Sequence, residues 1–107
     1  MRYTELRWHH DFDDEPVRIY SEIEFGEEVR KVEVFRDGRH DLAEHSRQTG
    51  STDLATILMP PVEDFPGDAE LELRELDAAS FERVWAEAER QAPYSLTTKC
   101  PRQDSNL

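Results

Sequence analysis

Cysteine is nearly absent: Cys100 is the only one in 107 residues. No internal disulfide can form, and a zinc site built on several cysteines is excluded. Long apolar runs are missing too. No stretch approaches the roughly 18 consecutive apolar residues of a membrane helix, and Met1-Arg2-Tyr3-Thr4-Glu5 lacks the apolar core of a secretion signal. A cytoplasmic protein with no membrane partner is expected. Positive charge is the third shortage, with 13 Lys+Arg against 25 Asp+Glu and a net charge of −12. A field of that sign repels nucleic acid and anionic lipid, so direct phosphate-backbone binding is not expected; it favours basic partners, divalent cations or plain solubility.

What is present fits one small domain. With 36% hydrophobic residues, the chain can build a single modest core, and domains of this size bury only about 60–70% of the surface their unfolded chains expose. From Arg2 to His10 the residues alternate, Thr4, Leu6 and Trp8 against Tyr3, Glu5 and Arg7, which predicts a strand. Asp11 to Pro16 stacks turn formers before a proline. A second strand follows, in which Val17, Ile19, Ser21, Ile23 and Phe25 form the buried side, while Arg18, Tyr20, Glu22 and Glu24 face water.

Val29 to Phe35 reads as a third strand, with a parity change that suggests a bulge or cover on both faces. Asp37-Gly38 is a hairpin signal leading to a short fourth strand through Arg39-Leu42. Leu54 to Met59 is expected as an extended edge segment, and Glu70 to Leu76 as a last strand or a lead into a helix. Asp77 then caps a helix to Gln91 on which Phe81, Val84, Trp85 and Ala88 share one face. The fold expected is α+β: an antiparallel meander of about four strands with one C-terminal amphipathic helix packed on one face, spanning residues 1–92. Trp8 and Trp85 are expected to pack together in its core. Pro93 to Leu107 is polar and aperiodic and is expected to be a disordered tail.

Chemistry-bearing residues are few. His10, Asp13 and Glu15, joined by His40 if the fourth strand passes nearby, offer an imidazole–carboxylate set suited to Mn, Fe, Ni or Zn. Adjacent His9 and His10 point to opposite faces of a strand, and neither an EF-hand loop nor a His-Glu-x-x-His helix is present. Serine has no nucleophile elbow around it. Tyr20, with Arg18, Glu22 and Glu24, has the composition of a partner-recognition patch on the second strand. Further acids, among them Glu27, Glu28 and Glu33 on the sheet and Glu82, Glu87 and Glu89 on the helix, extend a surface that would attract a basic partner.

Two resemblances add to this. Trp8-x-His10, Asp14-Glu15-Pro16, Tyr20-Ser21-Glu22, Val29 through Gly38 and the Phe81-x-x-Val84-Trp85 helix together resemble a family of small acidic bacterial proteins known only as a domain of unknown function, over Met1 to Ala92. The resemblance supports the domain limits and carries no catalytic residues with it. Cys100 to Leu107 resembles the peptide produced when a reading frame runs into a tRNA gene. That implies a tail not selected for protein function, and a locus of the kind where defence and toxin-immunity genes gather.

The function expected is a non-enzymatic acidic binding module without a cofactor, an inhibitor or immunity-type protein for a basic partner. The alternative is a metal-binding protein or metal-dependent enzyme using His10 and the Asp11–Glu15 turn with a divalent ion. Truncation after Ala92 is expected to leave the melting temperature unchanged; a loss of several degrees would mean that Tyr94 or Leu96 docks on the core.

Overall fold

The computed structural model describes residues 1–50, 52–56, 58–59, 61–65, 67 and 69–92; the expected tail lies outside the described residues. Six strands form one antiparallel sheet: β1 (Arg2–Trp8), β2 (Arg18–Glu24), β3 (Glu27–Val34), β4 (His40–Glu44), β5 (Arg47–Gln48) and β6 (Leu71–Glu75). Their order is β5-β4-β3-β2-β1-β6. The first five strands make the expected meander. The sixth crosses to the opposite edge and pairs with β1, Leu73 opposite Leu6 and Arg74 opposite Glu5.

The sheet is thus wider than the four strands read from the sequence. β5 is two polar residues held by Ala43 and Glu44, too short to show a period, and of the two alternatives read for Glu70 to Leu76 the strand is the one found, as β6. Of the two alternatives read for the third strand, a bulge is found: Glu22 pairs with Arg30 and Ile23 with Glu28, leaving Val29 extra. It turns Glu28 onto the opposite face from Arg30, where Ser21 Oγ donates to Glu28 at 2.5 Å.

The helix α1 (Ala78–Gln91) starts where Asp77 accepts a hydrogen bond from the Ser80 N–H at 2.7 Å. It ends at Ala92, whose extended backbone (φ −61°, ψ 138°) is what a residue before proline adopts. Phe81, Trp85 and Ala88 are buried from its inner face against Tyr20, Val32 and Leu42, with Tyr3 and Val34 at the margin. Phe81 meets the Tyr3 ring at 5.3 Å and stacks near Trp85 at 6.3 Å.

The helix covers the face that was expected to meet water. Tyr20 and Glu22 are only 8% and 7% exposed, which corrects the reading of these two as solvent-facing, while Arg18 and Glu24 at the ends of the strand are exposed as expected. The two tryptophans are separated by the same fact. Trp85 is buried on the inner face of the helix, whereas Trp8 has the parity of Thr4 and Leu6, packs on His10 at 4.2 Å, and donates its indole N–H to Glu70 at 2.9 Å.

That second face is covered by the chain between β5 and β6, not left as an edge. Thr52 Oγ1 donates to Glu33 at 2.7 Å, Ala55 N–H donates to Glu28 at 2.7 Å, and Met59 N–H donates to the Gly26 carbonyl at 2.6 Å. Ala55, Met59 and Phe65 line a small cavity of about 200 Å³ with Leu6, Ile19 and Leu73. Phe81, fully buried at the centre of the other layer, is the side chain whose loss should cost most. Phe81→Ala is expected to destabilise the fold by about 3–5 kcal/mol, read as a lower urea midpoint with an unchanged slope.

Candidate functional site

Three carboxylates are buried in the sheet, and each is matched by donors from other strands. Glu22 receives Arg30 through two nitrogens, Nε at 2.5 Å and a terminal nitrogen at 3.0 Å, and the Tyr3 hydroxyl at 3.1 Å. Arg30 continues to Glu82 on the helix at 2.6 Å, and its guanidinium lies 5.0 Å from the Phe81 ring centre and 4.8 Å from that of Trp85. Glu28 is held by Ser21, the Ala55 N–H and Lys31 Nζ at 3.3 Å. Glu5, 1% exposed, accepts from Arg74 Nε at 2.5 Å, from the Tyr20 hydroxyl at 3.1 Å and from Arg7 Nε at 3.4 Å, with Arg18 Nε at 4.0 Å.

These environments fix protonation. Burial pushes the Glu5 carboxyl up, but the Arg74 and Tyr20 hydrogen bonds and the charges of Arg7 and Arg74 outweigh it, leaving Glu5 below the ordinary value. For Glu22 the Arg30 hydrogen bond is the largest influence, ahead of burial, and the balance is again downward. Burial raises the Tyr3 and Tyr20 phenols, so both keep their protons and donate.

Of the residues expected to recognise a partner, Tyr20 and Glu22 are therefore inside. Arg18 stays half exposed beside Glu5, and Glu24 is exposed at the tip of the β2–β3 hairpin. Other acids of the expected surface are absorbed as well: Glu28 is buried, Glu33 accepts from Thr52, and Glu82 and Glu89 pair with Arg30 and Arg47. Arg47 also holds Glu44 at 2.8 Å.

The residues expected to share a metal are set in separate local contacts. His10 Nδ1 accepts from the Phe12 N–H at 2.9 Å, which leaves the proton on Nε2 to be donated to the Pro16 carbonyl at 2.7 Å. Its ring closes the β1–β2 connection between Trp8 and Phe12. Asp13 lies 3.5 Å from Arg36 and Glu15 is exposed. His40, at the start of β4, contacts the Gly38 carbonyl at 2.8 Å and Gln91 of the helix. Among the described residues no group of three or more His, Cys, Asp or Glu side chains is placed to share an ion.

Two features stand out that the pattern of the sequence did not single out. The turn between β2 and β3 consists of Phe25 and Gly26, with φ of 52° and 82°. Positive φ at both central residues is the type I′ hairpin, a conformation that favours Asn, Asp or Gly and not a bulky aromatic. Phe25 was expected inside; it is 95% exposed, flanked by Glu24 and Glu27, which face each other in register. Leu58, itself 67% exposed, lies against Gly26. Gly26 followed by Glu27 can turn the chain, but alternation carries Phe25 one residue too far along the strand.

The other feature is the arginine group around Glu5. It comes from β1, β2 and β6, whose adjacency no local pattern reveals.

Because Glu5 and Glu22 are lowered in the fold, their contribution to stability is fully present above the unfolded carboxylate value of about 4.5 and lost as pH falls through the lower folded values. The urea midpoint is expected to hold from pH 7 to about 5 and to drop below about 4.5. Glu22→Gln should cost about 2–3 kcal/mol at pH 7 and show a shallower decline with acid.

No curated protein matches the chain, and no solved structure matches it. Residues 2–90 match the model of a family described as a domain of unknown function (DUF6881), and the chain belongs to that family.

Proposed function

We propose that this protein is a non-enzymatic binding module whose acidic surface takes a basic partner, with an inhibitor or immunity-type relation to a basic protein as its concrete form. The observation that carries this reading is the hairpin tip. A bulky residue in the left-handed region costs on the order of 1–2 kcal/mol, and Phe25 recovers nothing by burial, being 95% exposed. Glu24 and Glu27, directly opposite each other, add like-charge repulsion. The tip thus opposes folding on two counts, with no burial to offset them. A role outside the fold explains it: a rigid aromatic anchor ringed by carboxylates, with Leu58 beside it, complements an apolar pocket edged by lysine or arginine.

The immunity-type form draws on the net charge of −12, which would speed association with a cationic protein.

The test uses immobilised protein and extract at low salt. A basic protein should be captured at about 50 mM salt and released as salt rises towards about 500 mM, given the short screening length there. Phe25→Ala should weaken the complex at least about tenfold, near 1.4 kcal/mol, and the Glu24→Lys/Glu27→Lys pair should abolish it, with neither change lowering the melting temperature. A complex indifferent to salt, or to all three substitutions, would remove this reading.

A further inference from the structure

The other end of the same strands carries the opposite charge. Arg74 and the Tyr20 hydroxyl already give buried Glu5 a charge-assisted bond and a second donor, at 2.5 Å and 3.1 Å. Arg7 and Arg18 stand further off, at 3.4 Å and 4.0 Å, and among the described residues neither lies within 4 Å of any other carboxylate. They face each other in register across β1 and β2, an arrangement that repels. Glu72 is opposite Arg7 on the other side, but its carboxylate lies 3.6 Å from His9. Elsewhere the acid excess prevails: Arg30 sits between Glu22 and Glu82, and Arg47 between Glu44 and Glu89. Around Glu5 the ratio reverses, three guanidiniums to one carboxylate, in a chain of 25 acids and 13 bases.

These residues line a groove of about 380 Å³ beside the helix, with Arg83 and Ser80 on its lip and Glu5 at its floor. Over the Arg7–Arg18 pair it adjoins a second open depression containing Trp8, His10 and Arg36. Glu87, also on the lip, is engaged by Arg90 and by Gln91 at 2.8 Å.

We propose that this groove binds the phosphate dianion of a small molecule, clamped by Arg7, Arg18 and Arg74. A dianion supplies the charge that one carboxylate cannot, and its oxygens suit the planar forks of guanidinium groups. The repelling Arg7–Arg18 pair then becomes the arrangement that the ligand relieves. The net charge of −12 governs approach from afar; inside the groove, closer than the screening length of about 8 Å at physiological salt, the arginines set the potential.

The probes are inorganic phosphate and adenosine monophosphate, each compared with sodium chloride at equal ionic strength. At about 10 mM, at least one should raise the melting temperature of the full chain by about 5 °C or more beyond chloride; the tighter of the two tells whether free phosphate or a phosphate ester is the source. Arg7→Gln and Arg18→Gln should each abolish the rise; Arg18→Gln should leave the ligand-free melting temperature unchanged or slightly higher, because it removes a like-charge pair, whereas Arg7→Gln also takes a donor from buried Glu5 and should lower it. If neither probe exceeds chloride, the proposal fails. It fails equally if the variants keep the phosphate response, or if Arg18→Gln melts several degrees lower without ligand, since the arginines would then serve only to neutralise Glu5.

Discussion

Arg30 is the point through which the two layers of this protein are joined. It grips Glu22 with two nitrogens, reaches Glu82 on the helix, and lies against both Phe81 and Trp85. Exchanging such an ion pair for apolar residues is often neutral or better for stability, so its role is orientation rather than raw energy. A face carrying Glu22 and a helix carrying Glu82 would repel on approach, and the guanidinium between them turns that repulsion into a bridge. Its apolar edges also accept the aromatic rings, so one side chain satisfies charge and covers the core. Arg47, bonded to Glu44 and Glu89 and 6.0 Å from the Trp85 ring, repeats the device two turns further along the helix. Removing Arg30 would leave two carboxylates facing each other beside aromatic rings.

This bridging explains where reading the sequence succeeds and where it stops. The alternation in β1 and β2, the Asp37-Gly38 hairpin, the bulge and the Asp77-capped helix are local signals, and all appear in the fold. Alternation separates two faces of a strand but cannot say which one a helix will cover. Here the face with more charge wins, because Glu5 and Glu22 find their donors on β1, β2, β3 and β6 and its apolar members Val32 and Leu42 meet Phe81. The neater apolar face, with Leu6, Ile19 and Ile23, is closed by an irregular segment instead. Partnerships between residues as distant as Glu5 and Arg74 leave no trace in a period of two.

The same limit applies to the candidate sites. Tyr20 and Glu22 looked like recognition residues because an isolated strand gives no sign of what buries it. Phe25 looked like core for the same reason. What could be read was composition, a strong acid excess. Arg30 and Arg47 each sit between two carboxylates, whereas Arg7 and Arg18 share Glu5, and that difference becomes visible only when the register is known.

β2 runs from Arg18 to Glu24, about 20 Å, and at each end it faces a residue of its own charge, Arg7 at one and Glu27 at the other. A fold selected for stability alone would exchange one member of each pair, and in a strand this short the exchange is simple. Arg18 already has Glu5 within 4.0 Å, so the cost at that end is softened; at the hairpin tip nothing comparable softens it, and the left-handed Phe25 raises it further. Local rules tend to be broken at functional positions, with the cost carried by the rest of the molecule. In this chain the buried cluster between helix and sheet carries it, at mid-sheet and away from both ends. The two like-charge pairs therefore leave a stable centre between two strained poles of opposite sign, the features on which the two proposed sites rest.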